Sequence, residues 1–158
     1  MEHTGTDIKR FNHLLGEMDA VYHDISLHLG LSDSISKILY TICDKGDHCP
    51  LSLICRQTGL SKQTVNSAIR KLEQQGVVRL AAVDGKAKDV YLTETGTVLA
   101  NGTARRILQI ENEILGSWRR EDVEQYLALT ERFLRSLQTK ASQLRQEQSF
   151  CPTDATQL

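Results

Sequence analysis

The stretch GLSKQTVNSAIRKLEQQGVVRL, residues 59–80, restricts the fold more than any other part of the chain. Val65, Ala68, Ile69 and Leu72 recur at spacings of three and four, which gives a helix one apolar side. Ser61 suits an N-cap, and Gly76 stands past the last periodic residue, where a helix can end in a left-handed turn. The opposite side carries Lys62, Gln63, Thr64, Asn66, Ser67 and Arg70, all able to donate hydrogen bonds. A face that only meets water is more often built from Glu–Lys pairs. Upstream, LSLICRQT (51–58) reads as a short helix closed by Gly59, leaving a tight turn between the two helices. Downstream, VVRLAAV and KAKDVYLT flank Asp84–Gly85, the pattern of a β-hairpin.

The rest of the chain is helical in pattern. Residues 7–29 place Ile8, Phe11, Leu14, Leu15, Met18, Val21, Tyr22 and Ile25 on a helical period that Gly30 ends. Residues 34–44 repeat the pattern behind Ser32 or Asp33 as cap, and KGDHCP breaks it. Another helix starts at Thr93 or Thr95 and runs to about residue 118, its continuity weakened by glycines. An amphipathic helix over 120–144 follows, with Val123, Tyr126, Leu127, Leu129, Phe133, Leu134 and Leu137 on its apolar side. The last dozen residues are polar and expected to fray. With 158 residues this order makes a mainly α fold with a small β-hairpin wing. The expected division is a winged helix-turn-helix domain over 32–96, terminal helices over 7–31 and 97–146, and a tail over 147–158.

Charge is distributed unevenly along this order. The chain as a whole carries −1, but residues 51–93 carry +4, leaving −5 on the remainder. A basic centre between acidic flanks is expected where one part faces phosphate and the rest does not. The major groove of duplex DNA admits one helix and displays donors and acceptors that amide, hydroxyl and guanidinium groups can match. On that basis Ser61, Lys62, Gln63, Thr64, Asn66, Ser67 and Arg70 face the duplex and Lys71 lies near its backbone. Lys86 and Lys88 at the wing tip reach the adjacent minor groove or its phosphates. The competing reading is a winged-helix module that binds another protein without specific DNA binding. No Ser/His/Asp arrangement, phosphate loop or carboxylate pair suggests an enzyme. No apolar run reaches the ~20 residues of a membrane span. Four cysteines without a disulfide framework fit a reducing, cytoplasmic setting.

The segment LICRQTGLSKQTVNSAIRKLEQQGVVRLAAVDGKAKDVYLTETG resembles the DNA-binding core of the MarR family of winged-helix transcriptional regulators. The family's wing runs Asp-x-Arg and then a strand ending Leu-Thr-x-x-Gly. Asp84, Leu92, Thr93 and Gly96 fall at the matching positions, while Lys86 stands where arginine is usual. Lysine keeps the charge without the planar fork, so this wing is expected to position the protein more than to specify sequence. The resemblance is close over residues 51–96 and loose over most of the chain. It implies a homodimer, paired through the N- and C-terminal helices, acting as a repressor on a pseudo-palindromic operator. The apolar positions of 7–29 and 107–144 exceed what a small winged domain can cover, which independently asks for a partner.

The resemblance also implies an effector: an organic molecule, a metal or an oxidant. Met18, Tyr22, His23, Tyr40 and Trp118 are candidates to line an organic-ligand pocket, although the same residues suit a core or a dimer interface. Peroxide-sensing relatives carry their cysteine in the first helix, and this first helix has none. Cys49, before Pro50 and the short helix, is the best candidate for a partly exposed reactive thiol. Cys43 and Cys55 lie in apolar helical patterns and suit packing. Cys43, His48, Cys49 and Cys55 include no Cys-x-x-Cys pair, and His13, His23 and His28 do not share one helix face well, so neither a metal site nor a cofactor is expected.

Overall fold

The computed structural model describes residues 5–149, in the order α1 (Gly5–His28), α2 (Asp33–Asp44), β1 (His48–Pro50), α3 (Leu51–Gln57), α4 (Lys62–Gln74), β2 (Val78–Asp84), β3 (Ala87–Leu92), α5 (Glu94–Gly102), α6 (Ala104–Gly116) and α7 (Arg120–Ser149). Local chemistry sets most of these boundaries. Ser32, Ser61 and Thr93 cap α2, α4 and α5 by accepting from the backbone N–H groups of Ile35, Thr64 and Gly96. Gly30, Gly59 and Gly76 take the positive φ that lets α1, α3 and α4 end and the chain turn at once.

The described residues divide into two compact units that part between Glu111 and Asn112. In the first unit the core gathers Ile38, Leu39 and Ile42 of α2 with Ile54 of α3, Val65, Ile69 and Leu72 of α4, and Val90 of β3. The sheet is antiparallel with strand order β1–β3–β2. KGDHCP is therefore more than a break: His48–Pro50 is a third strand, paired His48 to Tyr91, Cys49 to Val90 and Pro50 to Asp89. The pairing buries Cys49 to 1% exposure. The hairpin has an irregular register between Ala82 and Asp84, and Gly85 turns it with φ +49°.

The helix expected from Thr93 to about residue 118 is two helices, α5 and α6, broken at Thr103. The Thr103 hydroxyl donates to the Leu99 carbonyl at 2.7 Å, while its backbone leaves helical geometry with φ −132° and ψ −93°. Ala100 and Ala104, on either side of the break, are fully buried. Along α1, Ile8, Phe11, Leu15, Met18 and Tyr22 alternate by three and four and all stand exposed.

In the second unit α7 carries Tyr126, Leu127, Leu129, Phe133, Leu134 and Leu137 exposed along its length, and Trp118 packs edge-on against Tyr126 with centroids 5.5 Å apart. Ion pairs Arg119–Asp122, Arg120–Glu124 and Glu131–Arg135 bridge successive turns of its polar side. The helix continues to Ser149, three residues into the stretch expected to fray, and residues 150–158 lie outside those described. No described helix is long and apolar enough to cross a membrane.

Candidate nucleic-acid interface

The turn between α3 and α4 is built by Thr58, whose hydroxyl donates to the Ile54 carbonyl at 2.8 Å and accepts from Leu60 N–H at 3.3 Å. Gly59 then reverses the chain with φ +67°. Ser61 accepts from Thr64 N–H at 3.0 Å, and its hydroxyl meets that of Thr64 at 2.8 Å. Val65, Ala68, Ile69 and Leu72 are buried, as their spacing predicts, and they fix the rotation of α4 about its axis. Ser61, Lys62, Gln63, Thr64, Asn66, Ser67, Arg70 and Lys71 are consequently all exposed. Among the described residues none of Lys62, Arg70 and Lys71 is held in an ion pair, so their charges face solvent uncompensated by close carboxylates.

The wing carries Lys86 in its turn and Lys88 on β3 opposite Ala82, both exposed. Behind the tip is a feature that sequence reasoning missed. The Arg79 guanidinium lies 4.3 Å over the Tyr91 ring, and His48 stacks on the same residue with centroids 4.6 Å apart and planes within 3°. The Asp47 carboxylate meets His48 Nδ1 at 2.8 Å, and that hydrogen bond holds the Asp47 carboxyl below its ordinary range. Strand alternation already sets Arg79 and Tyr91 opposite buried Val78, Val90 and Leu92. The third member of the stack needed β1 to be recognised. A cleft of about 410 Å³ also opens between the start of α2 and α4, walled by Ser32, Ser34, Gln63, Thr64, Ser67 and Lys71.

A second concavity, about 530 Å³, lies among α1, α2 and α6 within the first unit. Tyr22 and Tyr40 both donate their hydroxyls to Glu111, one to each carboxylate oxygen. His23 Nδ1 sits 2.9 Å from both Asp33 oxygens. Of the candidate ligand residues, Tyr22, His23 and Tyr40 line this space, Met18 does not, and Trp118 belongs to the second unit. Glu111 was not anticipated, since on α6 alone it looks like an ordinary solvated acid.

Cys49 does not meet the requirement set for a reactive thiol. It is buried in the core, and burial first, then the nearby Asp89 carboxylate, pushes its pKa up to about 11, away from thiolate chemistry. Cys43 is buried and Cys55 partly so, as packing residues. Among the described residues no three His, Cys, Asp or Glu side chains group as metal ligands.

A family model described as the MarR family matches residues 29–88, from the end of α1 through the wing tip. No curated protein matches the chain. Solved structures similar to it include the MarR family regulator NMB1585 from Neisseria meningitidis, at 16% identity and TM-score 0.76, covering 87% of this chain and 97% of that one. The MepR–DNA complex of S. aureus is similar at 20% identity and TM-score 0.61, over 86% of this chain and 99% of the other. Bordetella bronchiseptica BpsR, whose DNA binding is regulated by 6-hydroxynicotinic acid, is similar at 19% identity and TM-score 0.58, over 78% and 98%. These likenesses establish the fold, helices on both sides of the winged segment included.

Proposed function

We propose that this chain, whose residues 29–88 form a MarR-family winged helix, is a double-stranded-DNA-binding transcriptional regulator. It acts in the cytoplasm as a homodimeric repressor on a pseudo-palindromic operator and is modulated by a small-molecule effector. The observation that carries this reading is the side of α4 that its packing leaves outward: amides, hydroxyls and cations, the cations held in no ion pair among the described residues. Asn66 and Arg70 are assigned to base edges in the major groove. Ser61, Lys62, Gln63, Thr64, Ser67 and Lys71 are assigned to base edges and phosphates around them, and Lys86 and Lys88 to the adjacent backbone. Ser32 and Ser34 join that set, an assignment supported by the cleft that they line together with Gln63, Thr64, Ser67 and Lys71. The fold shared with MepR, solved on DNA, supports the reading. The exposed apolar seams of α1 and α7 support the dimer, and the cavity at Tyr22 and Tyr40 supports the effector.

The test is binding to duplexes recovered by genomic pull-down. Affinity should fall with salt at a log–log slope of about −0.9 per phosphate contact. Asn66→Ala and Arg70→Ala should each cost about 1–3 kcal/mol on the preferred operator and less on unrelated duplexes. Lys86→Ala should weaken all duplexes alike and flatten the salt slope by about one contact. Duplex binding that ignores salt, or is absent, would favour the protein-interaction module instead.

A further inference from the structure

We infer that the cavity among α1, α2 and α6 is built for an organic cation, an ammonium or amidinium on an apolar body, with Glu111, Tyr22 and Tyr40 as its recognition group. This rests on the effector part of the reading above and names the chemistry of that site. A volume of about 530 Å³ suits a small organic molecule.

Glu111 has both carboxylate oxygens occupied by tyrosine hydroxyls, and among the described residues no lysine or arginine forms an ion pair with it. Hydroxyls orient the charge without cancelling it. Tyr40 stays a donor, because burial first and Glu111 second push its pKa well above the ordinary phenol value. A phenol that donates to a carboxylate gains electron density in its ring, and an electron-rich ring is a better partner for a cation. The wall therefore offers two such rings and one full negative charge. Asp19 and Asp33 add carboxylates to the lining, and Asp33 is engaged by His23. The opposing charge is Lys37, an exposed residue on a flexible stem. An anion at Glu111 would face like charge, whereas an ammonium there would meet an opposite charge whose geometry the tyrosines already fix.

Titration calorimetry on the full chain with benzyltrimethylammonium, benzyl alcohol and benzoate separates the possibilities. The cation should bind at least about tenfold more tightly than the alcohol, and benzoate should bind more weakly than either. Glu111→Gln keeps the shape and should cost the cation about tenfold or more while leaving benzyl alcohol unchanged. Tyr22→Leu, at an exposed position, should weaken the cation in the same direction, and circular dichroism melts of both variants report whether the fold is intact. The inference is overturned if cation and alcohol bind equally, if no cation heat appears up to about 10 mM, or if benzoate binds best and Lys37→Ala abolishes it. The calorimetry uses no DNA, so cation binding that leaves duplex affinity unchanged would preserve the site and remove the effector role. An absence of duplex binding would remove the regulator reading alone.

Discussion

At the scale of single residues the winged segment depends on close contacts as much as on apolar bulk. Gly96 lies at the start of α5, where a Cβ would sit 1.9 Å from the Val77 carbonyl oxygen. That oxygen already accepts from Thr93 N–H at 3.0 Å and from the Thr93 hydroxyl at 3.1 Å. The Leu92-Thr93-x-x-Gly96 pattern thus has a physical reason: threonine caps α5 and ties it to the end of α4, and glycine leaves room for that approach. Gly96→Ala must displace backbone and is expected to cost about 2–4 kcal/mol in urea unfolding, from overpacking and the strained hydrogen bonds together. Cys49 allows a pH test. Its thiol, ordinarily near 9, is raised to about 11 in the fold, so the folded state holds the proton more tightly than the unfolded one. The contribution is complete below pH ~9 and is lost as pH rises toward ~11. The urea midpoint of the wild type should drop across that window more than that of Cys49→Ala, and native protein at pH 8 should react slowly with iodoacetamide at this residue.

At the scale of elements, what could be read in advance is what a local period writes. The buried side of α4 needs only Val65, Ala68, Ile69 and Leu72, and the caps need only Ser61 and Thr93. β1 has three residues, too few for a period, and exists because β3 lies beside it some forty positions later. Missing it meant misplacing Cys49 and overlooking the stack of His48, Tyr91 and Arg79. The cavity failed for the same reason in part: Tyr22 and Tyr40 stood out as aromatics, but Glu111 gains meaning only when α1, α2 and α6 meet. The seam of α1 is legible in both views. Ile8, Phe11, Leu15 and Met18 follow the alternation of a helix that packs along a partner helix, and all remain exposed in one chain. In the proposed dimer Met18→Glu would put a carboxylate into that seam twice, each copy forfeiting about 1.5–3 kcal/mol of burial. The dimer dissociation constant by sedimentation should rise about a hundredfold or more, with the melt of the winged segment little changed. A wild-type chain sedimenting as a single 17.8 kDa species at micromolar concentration would refute the dimer outright.

At the scale of the whole molecule, dimerisation should convert two modest half-site contacts into one tight one. If α4 is the reading helix, a lone winged helix would present one α4 to one major groove, and its donors would reach only a few base pairs. A second copy on the same duplex binds at an effective concentration set by the link between them, which raises affinity by about 10²–10⁴ when both grooves fall on one face of the DNA. That condition is geometric: half-sites about one helical turn apart share a face, and about five added base pairs turn them to opposite faces. The expected result for an operator with such an insertion is affinity reduced to that of an isolated half-site, read by gel shift or fluorescence anisotropy at fixed salt. Met18→Glu gives the control. If that seam joins the protomers, the variant should bind intact and inserted operators equally and weakly, because it has lost the link that makes spacing matter. An intact dimer indifferent to the insertion would mean that its two reading helices do not engage the duplex together.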